Sequence, residues 1–177
     1  MLREGLPPLP KELTHSDIIP VSYWITRLGA AVHFIFFSEG SDGVFHPAEV
    51  TFQYGRNEDG WRPIEEALFL NLGRTGVIGD PDFMRFFPES VIEGFSNYLT
   101  DEPAPGRLAI VMSGYHAPEV AEIWLVQGGT VDKRPSSGHF GSWTICTELY
   151  APLLVEAHDA AGRLLGSIDE PWATSEG

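Results

Sequence analysis

Disulfide bonds and membrane-spanning segments are the first features that this sequence lacks. Cys146 is the single cysteine in 177 residues, so no intrachain disulfide can form and nothing indicates an oxidising compartment. No apolar run approaches the roughly 20 residues that cross a bilayer, and the first residues lack the apolar centre of a signal peptide. We therefore expect a cytoplasmic protein that does not insert into a membrane.

Positive charge is also scarce. The chain has 11 Lys and Arg against 25 Asp and Glu, which gives a formal net charge of −14. Binding to a phosphate backbone needs clustered cations, because counterion release provides most of that affinity, and the basic residues form no cluster in this sequence. The composition argues against direct binding to nucleic acid or to anionic membranes. The acidic excess indicates solubility alone or a basic partner protein. Mimicry of DNA by an acidic surface is a further alternative, but the acidic residues are scattered and form no runs.

Motifs that carry common chemistries are missing. The sequence has no G-x-x-x-x-G-K-[ST] loop and no G-x-G-x-x-G fingerprint, so no nucleotide or other cofactor is predicted. It has no G-x-S-x-G around a serine, and Cys146 has no neighbouring base that would activate its thiol. We therefore predict no catalytic residue, and we expect Cys146 to be structural.

The six histidines offer weak candidates for metal binding. None of them has the H-E-x-x-H or H-x-H spacing that places two imidazoles on one ion. His46, His116 and His139 lie in segments that we interpret as loops, where distant parts of a fold can converge. With no spacing to support a site, the sequence predicts no metal.

Strand-like patterns cover most of the chain. Residues 32–37 are apolar on both faces, which is typical of a strand covered on both sides. Residues 49–54 alternate, with Val50, Phe52 and Tyr54 on one face and polar side chains on the other, which predicts a half-buried strand. Further strands are expected at 108–112, 121–126, 140–146 and 153–158.

One helical insert is predicted, at about residues 81–99. Asp80 and Pro81 have the character of a helix cap and first turn. Pro88 can begin a second short helix, in which five apolar residues from Val91 to Leu99 fall on one stripe. Gly94 weakens this interpretation by about 1 kcal/mol relative to alanine.

The strand spacing predicts an all-β or β-rich α+β fold. We expect an immunoglobulin-like antiparallel β-sandwich of about seven or eight strands with the one helical insert. The closing residues 153–163 resemble the last hairpin of many immunoglobulin-like modules. The predicted organisation is a proline-rich extended arm at 1–20, one domain at 21–168 and a tail at 169–177.

Aromatic residues suggest where a partner could bind. They make up 12% of the chain, and five of them are tryptophans. A core of this size need not bury all five of these large side chains. Trp61, Trp124 and Trp143 are the interface candidates. Trp124 alternates with Ile123 and Leu125, so it either faces outwards or lies beneath the helical insert.

These observations favour a non-enzymatic, soluble protein–protein interaction module. An inhibitor or immunity-type partner of a basic protein is one form of this hypothesis. One alternative is a small enzyme whose histidines and carboxylates are assembled from loops. Another is an assembly or structural subunit of a phage or a secretion machine, which would self-associate through a sheet edge.

Overall fold

The computed structural model describes residues 5–26, 29–57, 60–70, 90–104 and 107–170. Within these ranges the chain forms eleven strands and one 3-10 turn at His139–Gly141, with no α-helix. No described segment is a helix long and apolar enough to cross a membrane. The strands are β1 (Ile19–Ile25), β2 (Gly29–Glu39), β3 (Phe45–Asn57), β4 (Gly60–Leu70), β5 (Ile92–Ala104), β6 (Arg107–His116), β7 (Glu122–Gln127), β8 (Thr130–Pro135), β9 (Ser142–Leu149), β10 (Leu153–His158) and β11 (Leu164–Glu170).

The strands form three antiparallel sheets. The first sheet has the order β1-β2-β3-β4, in which consecutive strands are neighbours. The second sheet has the order β5-β6-β9, and the third has the order β11-β10-β7-β8. All neighbouring strands run antiparallel. The prediction of a β-rich fold is confirmed, with more strands than the seven or eight expected.

The predicted helical insert is wrong over its second half. Ile92–Ala104 is the edge strand β5, and residues 81–89 lie outside the described part of the chain. A Cβ added at Gly94 would lie 2.4 Å from the Trp143 ring, so the glycine leaves room for that indole against the strand. Pairing with β6 and packing of Trp143 therefore outweigh the helical spacing of the apolar residues, which is only a local preference.

The main apolar core contains buried side chains of the second and third sheets. Ile110 and Met112 of β6 and Ile145 of β9 lie in one cluster with Leu125 of β7 and Val155 of β10. The cluster also includes Trp24 of β1 and Ala31 of β2. The strand runs that read as apolar in the sequence thus supply most of this core.

The alternating strand β3 is buried on the face that the sequence marks as polar. Glu49, Thr51 and Gln53 are buried. On the apolar face Val50 is buried as well, whereas Phe52 and Tyr54 are only partly buried. The carboxylate of Glu49 lies 3.0 Å from Nε2 of His33, and both side chains are almost completely buried. A buried polar side chain needs such a partner, because its desolvation is otherwise uncompensated.

A chain of four buried hydroxyls links the first and second sheets. Thr51 Oγ1 donates to Ser113 Oγ over 3.1 Å, and Ser113 Oγ lies 3.2 Å from Thr144 Oγ1. Thr144 Oγ1 lies 2.6 Å from Ser22 Oγ. We call these residues the hydroxyl chain. It joins β3, β6, β9 and β1, so the two sheets meet through polar contacts at this point.

The segment before β1 lies against the strands. The carbonyl oxygen of Pro7 accepts a hydrogen bond of 2.8 Å from His139 Nε2. Leu13 packs on a second, smaller core cluster that contains Ile19 and Tyr115. These contacts place the proline-rich segment beside the turn that precedes β9.

Candidate functional site

A cleft of about 300 Å³ opens between β1, β9 and the segment that follows β8. Its walls combine indole rings with hydroxyl groups. The residues that matter for its chemistry are Trp24, Trp143, Ser22, Thr144, Arg134 and Ser136. Ligand sites are commonly concave, mostly apolar and furnished with a few polar groups, so this cleft is the candidate site.

The two indoles of the cleft differ in their hydrogen bonding. Trp143 Nε1 donates to the carbonyl oxygens of Glu93 and Tyr115, over 3.1 and 3.3 Å. Trp24 is 8% exposed, and its Nε1 has no acceptor within the described residues. An unpaired buried N–H costs about 1–3 kcal/mol. Trp24 therefore carries a buried donor that no described group satisfies.

Arg134 covers one side of the cleft. Its guanidinium carbon lies 4.7 Å from the centre of the Trp24 ring, which is a cation–π distance. The same guanidinium is held by Asp132, with Nε donating over 3.1 Å to Oδ1 and Nη2 over 3.1 Å to Oδ2. Because Asp132 balances the charge of Arg134, this wall of the cleft is close to neutral.

Ser136, which lines the cleft, contacts a buried histidine. Nε2 of His116 is in close hydrogen-bond contact with Oγ of Ser136, although the two residues are 20 positions apart. Nδ1 of His116 lies 2.7 Å from the carbonyl oxygen of Ala117. A carbonyl only accepts, so Nδ1 carries a proton and donates it to Ala117.

The environment keeps this imidazole uncharged. Burial lowers the pKa of His116 below its usual range, and this effect outweighs the hydrogen bond to Ala117 and the charge of Glu119, which both raise it. With Nδ1 protonated and the ring neutral, Nε2 is an acceptor. The hydroxyl of Ser136 therefore donates to His116.

The turn between Ser136 and β9 is tightly packed and partly left-handed. A Cβ at Gly138 would lie 1.8 Å from the carbonyl oxygen of Ser142, so only glycine fits there. Phe140 has φ 59°, which is uncommon for a residue with a side chain. Gly141 has φ 69° and lies close to the backbone of His116. Such local strain is concentrated at functional sites in many proteins.

The three predicted interface tryptophans lie in different places. Trp143 lines the cleft, and the side chain of Trp61 lies outside the described residues. Trp124 lies on the opposite face of β7 from the buried Ile123 and Leu125, and its ring stacks on His158 at 3.6 Å between centroids. Lys133 Nζ lies 3.5 Å from the Trp124 ring centre. The chain's own groups thus cover much of Trp124.

The three weak metal candidates do not form a metal site. His46 contacts Asp42 at 3.5 Å, His139 contacts Pro7, and His116 contacts Ser136. Among the residues that the structure describes, no group of three His, Cys, Asp or Glu side chains could hold a metal ion. Each histidine instead serves a separate local contact.

Cys146 lies in the core. Burial raises the pKa of its thiol to about 11, so the reactive thiolate is scarce at neutral pH. The side chain belongs to the main apolar cluster, and a structural role stays our interpretation of this residue.

Sequence reasoning missed Ser136. The only local signal is the run of turn-forming residues from Ser136 to Gly138 after a strand that ends at Pro135. His116 precedes β7 and Ser136 follows β8. Because β7 and β8 pair as an antiparallel hairpin, the residues before β7 and after β8 lie close together. The amide of Ser136 donates to the carbonyl oxygen of Ala121 at the base of this hairpin.

Comparisons with known proteins add little. No protein-family model matches the chain, and no curated protein matches it. The chain is similar to the crystal structure of MHC-like MILL2 at 9% identity and a TM-score of 0.27, over 81% of this chain and 67% of that chain. A similarity of this size carries no conclusion about function.

Proposed function

We propose that this protein is a protein–protein interaction module that binds an extended, basic segment of its partner along β8. An inhibitor or immunity-type partner of a basic protein is the form of this function that we favour. We also propose that the second and third sheets are the two layers of an immunoglobulin-like β-sandwich, which the apolar core that they share supports. The observation that carries the function is the open edge at β8.

Strand β8 is the most accessible edge among the strands whose side chains the structure describes. All six of its residues are exposed, and it is the last strand of the third sheet. The edge strands β1, β5, β9 and β11 each pack on a strand of another sheet, whereas β8 packs substantially only on β7. An edge with free backbone groups can accept an added strand, and Pro135 limits that pairing to residues before it.

The charge of the protein favours a basic guest. The net charge of −14 attracts cations over a distance and speeds their encounter. The two cations of β8 are already engaged, since Lys133 lies over Trp124 and Arg134 is held by Asp132. A basic segment would therefore meet little repulsion at this edge.

A selection from a random peptide display library on the immobilised protein tests the proposal. We expect the enriched peptides to be basic and rich in β-branched residues, and we expect synthetic copies to bind in fluorescence anisotropy. The amide of Val131 points away from β7, because hydrogen-bonded and non-hydrogen-bonded pairs alternate along this antiparallel ladder. Val131→Pro removes this donor from the free side of β8 and should weaken binding about tenfold or more, a loss of roughly 1.4 kcal/mol. Asp132→Lys should also weaken it, because the substitution reverses a charge on β8 and releases Arg134 from its carboxylate partner.

The matched control is Glu39→Lys, which makes the same change of charge at an exposed position of the first sheet. Circular dichroism establishes that each variant remains folded. Peptides that bind Val131→Pro as tightly as the parent would contradict the β8 site. A chain that dimerises in light scattering, and loses this with Val131→Pro, would instead favour the assembly-subunit alternative.

A further inference from the structure

The contact between Ser136 and His116 has a chemical consequence beyond protein binding. We propose that Ser136 is a nucleophile for acyl transfer from a small, uncharged carboxylic ester, with His116 as its general base. The proposal does not rest on any binding at β8. It rests on the contacts that link Ser136, His116 and Ala117, and on the position of Ser136 in the wall of the cleft.

The three groups have the order that an activated serine needs. The Ser136 hydroxyl donates to Nε2, and Nδ1 on the other side of the ring donates to the Ala117 carbonyl. A third group that holds the base in one tautomer is the general feature of nucleophile–base–orienter sites. Here a backbone carbonyl fills the position that a carboxylate often has.

The surroundings of His116 suit a base. The side chain is 5% exposed and uncharged, so its Nε2 lone pair is available for a proton. Once protonated, the ring would still donate from Nδ1 to Ala117, and the nearby charge of Glu119 favours the cation. The positive charge that develops is therefore stabilised from two directions.

The cleft defines the class of substrate. Its volume of about 300 Å³ is at the small end of ligand sites. The indoles of Trp24 and Trp143 provide apolar walls, and the pairing of Arg134 with Asp132 leaves no free charge there to select an ion. A short, uncharged acyl group fits these walls best.

The reaction balances with water as the second substrate. Ser136 Oγ bonds to the carbonyl carbon as its proton passes to His116 Nε2, and the ester C–O bond then breaks as that proton passes to the leaving alcohol. Water attacks the acyl-serine with His116 again as base, which releases the acid and restores the serine.

Reaction with p-nitrophenyl acetate tests the proposal directly. We expect the folded protein to release p-nitrophenolate faster than buffer, and mass spectrometry to find one acetyl group on the peptide that contains Ser136. Ser136→Ala should reduce the rate at least about 100-fold, which is a typical size for the loss of a nucleophile–base pair. Ser38→Ala, an exposed serine of the first sheet, should keep the parent rate.

A second measurement uses the reactivity of a thiol placed at position 136. Ser136→Cys adds a thiol at the same position, and the only other cysteine is buried. We expect its alkylation by iodoacetamide at neutral pH to be about tenfold faster than that of Ser38→Cys, because a neighbouring imidazole favours the thiolate. His116→Gln in this background should remove the difference, with His46→Gln as the control.

Three results would overturn the proposal. The first is an ester reaction that is the same in the parent and in a folded Ser136→Ala variant. The second is acetyl found only on residues other than Ser136. The third is equal alkylation of Ser136→Cys and Ser38→Cys. Loss of peptide binding at β8 would not affect these results, so the two proposals fail separately.

Discussion

The buried pair of His33 and Glu49 allows a quantitative test of how the first sheet is held. The two side chains are 0% and 2% exposed, and their nearest polar atoms are 3.0 Å apart. Glu49→Ala removes the carboxylate and leaves Nε2 of His33 without that partner in a space that water does not reach. Removal of one member of a buried pair costs about 3–5 kcal/mol.

The expected loss is large enough to measure by urea unfolding followed by circular dichroism. For a chain of this size, 1 kcal/mol shifts the melting temperature by about 2–4 °C, so Glu49→Ala should melt on the order of 10 °C below the parent. The control is Glu39→Ala, which truncates an exposed glutamate at the end of β2. This control should change the free energy of unfolding by no more than about 0.5 kcal/mol.

Two further variants separate the hydrogen bond from the charge. Glu49→Gln keeps an acceptor for His33 and should lose only about 1–2 kcal/mol. The double variant His33→Phe with Glu49→Leu replaces the pair by apolar groups and should recover much of the loss. If Glu49→Ala lost less than about 1 kcal/mol, the side chain would be reaching water and our account of β3 would be wrong.

Two further predictions concern the core and the turn beside the cleft. Burial raises the pKa of Cys146 to about 11, so the folded state keeps a proton that the unfolded chain loses from about pH 9. Stability from this thiol is therefore present below pH 9 and lost towards pH 11, by roughly 2–3 kcal/mol in total. Denaturant titrations at pH 8 and 10.5 should show this loss in the parent and not in Cys146→Ala. Gly138→Ala would place a Cβ 1.8 Å from the Ser142 carbonyl oxygen. It should destabilise by about 1–3 kcal/mol, which is more than the roughly 1 kcal/mol expected for Gly43→Ala, where space is open and only the positive φ opposes the side chain. Equal melting temperatures for the two alanine variants would contradict the close approach.

The sequence predicted strands well because their signals are local. Residues 153–158 form β10 with the expected bounds, and residues 32–37 lie within β2. Which face of a strand is buried is not a local property. In β3 the polar face is buried, because Thr51 and Glu49 find partners on other strands that no alternation pattern reveals.

The edge strand β5 and the cleft escaped prediction for the same reason. The apolar residues after Pro88 satisfy a helical period, and only the distant Trp143 explains why Gly94 suits a strand at that position. The contact between His116 and Ser136 depends on a hairpin that closes over 20 residues, so no motif of fixed spacing contains it. Sequence patterns thus identified most strands, whereas the candidate site depends on contacts between strands that are distant in the sequence.

The hydroxyl chain also constrains which substitutions this protein can accumulate during evolution. Each hydroxyl has a single proton to give, so the orientation of one member sets the orientation of the next along the chain. Replacement of Ser113 alone would remove the acceptor of Thr51, whereas Thr144 would keep its contact with Ser22. Replacement of Thr51 and Ser113 together by apolar residues would remove both ends of that hydrogen bond at once. We therefore expect descendants of this chain to retain these two positions together or to lose them together.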